Sequence, residues 1–191
     1  MIEPTGFPPP ACDLPDRLLA VRAAEGDEDS FAVLVRRHGR PLLAMAYCML
    51  GNVQDAEDAV QDAFVSAWRR LPEYRHSAEF HTWMYRITVN RCLTMRRRRL
   101  PSIPLDAMPD SATTDESSSP ARTAEQDAAT AALAHALGEL DSGQRVCWIL
   151  RELQGLPYKE IASVTHTSEQ AVRGRLFRAR RSLKEAMSPW R

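Results

Sequence analysis

The sequence predicts an all-α protein, two small helical domains joined by a flexible acidic linker. Three observations carry that expectation. Apolar residues recur with a 3.6-residue period on both sides of the chain's middle, and no stretch keeps the apolar/polar alternation of a half-buried strand. From Pro101 to Asp127 the sequence PSIPLDAMPDSATTDESSSPARTAEQD is rich in Pro, Ser, Thr and acids and almost devoid of large apolar groups, which is the composition of a linker. Of 191 residues 44% are hydrophobic and 26% charged, too apolar for wholesale disorder and enough for one moderate core or two small ones. The expected layout is a disordered tail over 1–15, a first domain over 16–100, the linker over 101–127 and a second domain over 128–191.

In the first domain Leu18 to Ala24 and Ser30 to Leu50 read as helices, the second capped by Asp29 or Ser30 and stopped by Gly51. Gly51 and Asn52 then open DAEDAVQDAFVSAWRRL. Spacing residues by 100° puts Ala56, Ala59, Val60, Ala63, Phe64 and Ala67 on one broad face, with Asp55, Asp58 and Asp62 on another. A short break, PEYRHSAEF, precedes the helix HTWMYRITVNRCLTMRRRR, whose terminal Arg96 to Arg99 suit the negative end of a helix dipole.

In the second domain Ala128 to Leu140 and Gln144 to Leu153 read as helices, the latter ending at Gly155, and Pro157 suits the first turn of a helix from Tyr158 to Val164. The turn THT leads into SEQAVRGRLFRARRSLKEAM, where Val172, Leu176, Ala179 and Leu183 form a buried stripe. Thr167 and Gln170 match a capping box there, with Ser168 as the other candidate cap. Two short helices around a tight turn make a helix-turn-helix.

Net charge is zero but segregated: residues 16–100 carry +3, residues 101–130 carry −5 and residues 131–191 carry +4. Local basic faces, not the average, set the electrostatic footprint that a polyanion meets. The N-terminus has neither a basic start nor an apolar run of signal length, so the expected location is the cytoplasm, with no membrane insertion. Its tail is expected to be too short for an autoinhibitory domain, and no further domain is expected after Arg191. Cys12, Cys48, Cys92 and Cys147 show no paired spacing and no nearby His in a ligand pattern, so neither a disulfide framework nor a metal is expected, and no cofactor. Such cysteines act as small hydrophobes.

Two constellations point to nucleic acid. On the last helix Arg173, Gly174, Phe177, Arg178 and Arg181 project away from the buried stripe, flanked by Arg175 and Arg180. Guanidinium groups so placed can pair with guanine edges in a major groove and grip phosphates, whereas a merely solvated face would interleave more Glu. Gly174 inside that helix suits a backbone that something approaches closely. Upstream, YRHSAEFHTWMYRITVN mixes aromatics with Arg75, His76, Arg86 and Asn90, a surface able to stack and hydrogen-bond unpaired bases. Phe80, Trp83, Met84 and Ile87 at helical spacing equally describe a core, and the Asp ridge equally describes a solvated face.

Taken in order, GNVQDAEDAVQDAFVSAWRRLPEYR, FHTWMYRITVNRCL, a polar linker, LRELQGLPYKEIA and SEQAVRGRLFRARRSL closely resemble the extracytoplasmic-function class of bacterial sigma factors, over about residues 16–100 and 128–187. The resemblance implies a non-enzymatic factor that binds core RNA polymerase and directs it to promoter DNA. It implies that Asp55, Asp58, Gln61 and Asp62 meet the polymerase clamp. It assigns the melted minus-ten element to Tyr74, Arg75, His76, Phe80, Tyr85, Arg86 and Asn90. The duplex minus-thirty-five element falls to Arg151, Ser168, Arg173, Gly174, Arg175, Phe177, Arg178 and Arg181. It further implies an anti-sigma factor as a regulatory partner, and a linker whose acids could mimic nascent RNA. Two departures are visible: THTSEQ lacks the usual small-residue-Gly turn, with Ala171 where Thr is commonest, and Leu93, Thr94 and Met95 lack the acid often seen before the basic run.

Three other classes stay open from the residues alone. An ordinary helix-turn-helix regulator would bind an operator without polymerase. A hydrolase or redox enzyme would use His38, His76, His81, Cys48 or Cys92, although no partner stands at a motif spacing around them. A protein-interaction module would set the basic helix against an acidic partner.

Overall fold

A computed structural model describes residues 14–74, 78–99 and 132–188, and among them there are helices and turns but no strand. The first four helices are α1 (Asp16–Ala24), α2 (Glu28–Leu50), α3 (Val53–Arg70) and α4 (Phe80–Arg99), with a 3-10 turn at Leu71–Glu73. A helix α5 over 132–139 opens the second half. It is followed by α6 (Ser142–Trp148), which runs into a π turn at Ile149–Leu153, then α7 (Tyr158–Val164) and α8 (Glu169–Ala186).

The helix ends follow from local chemistry, with two corrections to the sequence reading. Helix α2 is capped by Asp27, not Asp29 or Ser30: its carboxylate accepts the Ser30 amide at 3.0 Å and the Ser30 hydroxyl at 2.7 Å. Those bonds hold the Asp27 carboxyl below its usual range. Helix α8 is capped by Ser168, whose Oγ accepts the Ala171 amide at 3.2 Å, so the Thr167/Gln170 capping box does not form. Gly51 ends α2 in the left-handed region at φ 73°, as expected of a helix stop. Helix α7 ends the same way on a non-glycine: His166 takes φ 51°, and the Thr167 amide closes back on the Ala162 carbonyl at 3.0 Å. A bend there lets α7 and α8 form the tight pair.

The apolar stripes land where periodicity puts them. Ala56, Ala59, Val60, Ala63, Phe64 and Ala67 are buried against α2 and α4, and Val172, Leu176, Ala179 and Leu183 against α5, α6 and α7. Helix α4 lacks one polar face in its first half because α2, α3 and α7 all pack on it, so Phe80, Trp83, Met84 and Tyr85 are buried together.

The two halves share a core. Leu42, Met84 and Val89 of the first belong to one apolar cluster with Ile149, Leu150, Leu156 and Ile161 of the second. Arg145 is buried at this junction, 5% exposed, and donates to the carbonyls of Met49, Gly138 and Leu140, so one cation closes the C-terminal ends of α2 and α5. Burial lowers its pKa to about 10, still far above neutrality.

Candidate nucleic-acid interface

Helix α8 presents its basic face to solvent. Arg173, Arg178 and Arg181 are exposed and Phe177 is 70% exposed. Arg181 pairs with Glu185 at 3.0 Å and Arg180 with Glu152 at 2.6 Å, so the positive charge of this face not offset by these two pairs rests mainly on Arg173 and Arg178. Ser168, the cap, stays exposed at the helix N-terminus, where amides favour an anion. A Cβ on Gly174 would meet only the Arg178 guanidinium at 3.6 Å, an ordinary contact, so the fold itself does not demand glycine there.

Arg175 and Arg151 depart from a simple exposed array. Arg175 is half-buried, with a Gly143 Cβ position only 3.2 Å from its guanidinium, so it lies against the start of α6. Arg151, carried on the π turn, donates to the Leu156 carbonyl at 2.9 Å. Its guanidinium lies 5.2 Å from the Tyr158 ring centre and that of Arg173 lies 5.9 Å from it. Tyr158 is thus an aromatic platform holding two of the expected DNA-contacting arginines, a role invisible in sequence because only the α7–α8 packing creates it.

On the first half a cleft of about 240 Å³ is lined by Glu73, Tyr74, Ala78, Thr82, Trp83 and Arg86, with Ser163 of α7 at its edge. Tyr74 donates to the Ala78 carbonyl at 2.6 Å and stacks on Trp83 at 4.8 Å and 29°. Burial pushes the Tyr74 phenol above its usual range, keeping it neutral. Arg75 and His76 lie outside the described residues. Phe80 is 2% exposed and packs on His38 and Trp83, which makes it a core aromatic. Tyr85 is 7% exposed and donates to Gln154 of the second half at 2.6 Å. Arg86 is half-buried and Asn90 exposed.

A second groove of about 420 Å³ runs between α3 and α4 past Arg69, Arg70, Arg86, Asn90 and Arg91. Of these, Arg69 and Arg70 are visible in sequence only as the WRR ending of α3, and Arg91 joins them only because the two helices converge in the fold.

The acidic ridge of α3 does not hold as a ridge. Asp55 is only 8% exposed, in the first turn of α3, where its amide is capped by Asn52. Asp62 is ion-paired to Arg91. Asp58 and Gln61 remain exposed. Beside Gln61 an apolar groove of about 500 Å³ is lined by Phe31, Val35, Phe64, Val65 and Trp68, with Phe31 packed on Trp68 at 4.9 Å.

Among the described residues no group of three His, Cys, Asp or Glu could hold a metal ion. His38 sits 2.6 Å from Asp16, and His81 3.3 Å from Glu160. Cys92 and Cys147 are fully buried free thiols, and desolvation pushes the Cys92 pKa up to about 12. No helix among the described residues is long and apolar enough to cross a membrane.

Residues 34–100 match the family model for sigma-70 region 2, and residues 130–183 that for sigma-70 region 4. The chain is 33% identical over 183 residues to the RNA polymerase sigma-H factor of Pseudomonas aeruginosa, covering 91% of this chain and 94% of that one. It is 32% identical over 186 residues to the ECF RNA polymerase sigma-E factor of Escherichia coli K12, covering 92% and 96%. Among solved structures, CnrH in complex with the cytosolic domain of CnrY superposes with a TM-score of 0.70 at 32% identity, covering 91% of this chain and 97% of that one. RpoE of Bartonella quintana in complex with the anti-sigma factor NepR shares the fold at a TM-score of 0.64, covering 83% of this chain and 96% of that one at 22% identity.

Proposed function

The chain belongs to the extracytoplasmic-function class of the sigma-70 family, and from that premise we propose that it binds core RNA polymerase in the cytoplasm and directs it to promoters without covalent chemistry of its own. The observation that carries this reading is the pairing, in one chain, of a helix-turn-helix with a bare Arg173–Phe177–Arg178 face and a region 2 half with a small aromatic cleft beside a basic groove. Such a pair suits two different DNA states: duplex for α8, unpaired bases for the Tyr74–Trp83–Arg86 cleft.

Binding energy is the mechanism. Arg173 and Arg178 pair with base edges and phosphates of the minus-thirty-five duplex, Tyr158 holding Arg173 in place, while Ser168 and the α8 N-terminus take a phosphate. The cleft of the first domain, 16–100, accepts an unstacked base, so melted minus-ten DNA is stabilised relative to duplex. Asp58, Gln61 and the neighbouring apolar groove form the polymerase-docking face, with acidic groups complementing a basic partner. An anti-sigma factor, the kind of partner with which the RpoE relative was solved, regulates the protein by competing for these surfaces.

The test is binding of the purified chain to core polymerase stripped of its resident sigma subunit. Tight binding with promoter-dependent transcription supports the reading. A folded, inhibitor-free chain that binds operator DNA but no polymerase would make it a stand-alone regulator.

A further inference from the structure

Two consecutive residues of α3 serve two different grooves. Gln61 lines the apolar groove against α2, whereas Asp62, about 100° further round the helix, reaches α4 and pairs with Arg91. Ser66 and Arg69, one and two turns beyond Asp62, line the basic groove that Arg91 also lines. Among the described residues Asp62 is the one ion-pair partner of Arg91, whose Nε is buried without a hydrogen bond. An arginine carries its five N–H donors in a planar fork, so a carboxylate on one edge fixes that plane and leaves donors for a second acceptor. None of the described residues lining the groove is acidic, while Arg69, Arg70, Arg86 and Arg91 all line it. Trp83 and Arg86 line both this groove and the aromatic cleft, so the two are continuous. Arg91 lies about 7.5 Å beyond Arg86 along the axis of α4.

We propose that Asp62 is a positioning residue for promoter reading: it holds the Arg91 guanidinium in the α3–α4 groove, where Arg91 takes a phosphate of the melted strand whose base enters the cleft. The inference rests on the DNA reading of the cleft given above. It moves Asp62 from the polymerase contact that the sequence resemblance implies to the DNA-reading machinery. The sign of one substitution separates this role from a bystander's. A carboxylate beside a polyanion repels it, so deleting a bystander charge would tighten strand binding, whereas deleting a positioning one weakens it.

The test uses the full chain saturating core RNA polymerase, with core alone as the blank. The probe is a fluorescein-labelled, mixed-sequence single strand of about 12 nucleotides, a site length typical of single-strand binders. Association of each chain with core is measured first. Asp62→Asn should weaken strand binding about 3- to 10-fold, the net size of one hydrogen bond, and flatten the log–log salt slope by about 0.7 as one phosphate contact is lost. Its association with core should change little, and Asp62→Glu should recover part of the strand affinity. In an Arg91→Ala background Asp62→Asn should weaken strand binding no further, because Asp62 acts through Arg91. Exchanging the charges, Asp62→Arg with Arg91→Asp, should restore the urea midpoint but not strand binding. Tighter strand binding by Asp62→Asn, or full recovery by the exchange, would overturn the positioning role and leave a structural ion pair. Lost association with core at unchanged strand affinity would return Asp62 to the polymerase face. A wild-type chain that adds no strand affinity to core would overturn the DNA reading itself, and this inference with it.

Discussion

Arg145 on α6 donates to the carbonyl oxygen of Met49, the next-to-last residue of α2, at 3.1 Å. The same guanidinium serves the end of α5, so its removal strands buried carbonyls in both halves at once. Arg145→Met should lower stability by about 2–4 kcal/mol, read as a shifted urea midpoint. Arg145→Lys should recover only part, because an ammonium keeps the charge but not the fork. A Met variant as stable as wild type would mean that water replaces the guanidinium without loss.

For the upstream element, Arg173→Ala or Arg178→Ala should each weaken duplex promoter binding by about 1–3 kcal/mol in a salt-controlled titration. Tyr158→Leu removes the platform and should cost about 0.5–1 kcal/mol of the same affinity without touching DNA. Arg181→Ala should change little, since Arg181 is held by Glu185 on the solvent side. Equal losses at all three arginines would point to nonspecific charge instead of base contact.

The helical stripes were legible in sequence because burial along a helix repeats every three to four residues: Val172, Leu176, Ala179 and Leu183 needed no partner to be recognised. Caps were less so, since Asp27, Asp29 and Ser30 compete within four positions and only the backbone turn decides for Asp27. The burial of Asp55, the Asp62–Arg91 pair and the Tyr85–Gln154 bond join residues that leave no periodic trace, the last spanning 69 positions. The exposed basic face of α8 was readable because it is local to one helix. The cleft and groove beside α4 were not, because they are built from α3, α4 and α7 together.

At the docking face, Asp58→Arg should slow association with core polymerase and weaken its salt dependence, as a rim charge does, while leaving the urea midpoint unchanged. Asp55→Asn should do the reverse: Asp55 is buried at the start of α3, so about 0.3–1 kcal/mol of stability goes with its charge at the helix N-terminus. Stopped-flow binding and denaturation on both variants separate the two roles. Slower association in the Asp55 variant alone would move the interface.

His38 supplies a pH dependence. It packs on Phe80 at 5.2 Å, and burial holds its pKa below the ordinary 6.5 despite the opposing pull of Asp16. The unfolded chain therefore takes up this proton at higher pH than the folded one, so His38 lets stability fall as pH drops below about 6.5. Comparing urea midpoints near pH 5 and pH 7.5, His38→Gln should show a smaller acid loss than wild type. A larger loss in the variant would mean that the Asp16 pairing dominates and the folded ring is charged.

Gly174 has a consequence for how this protein responds to selection. Its site accommodates a methyl group, and alanine in a helix interior is favoured over glycine by about 0.5–1 kcal/mol. A laboratory search for heat tolerance is therefore expected to reach Gly174→Ala early. On the proposed placement of α8 in a major groove, the same methyl group would stand between the helix and its promoter, so selection for robustness and selection for promoter affinity would pull this one position in opposite directions.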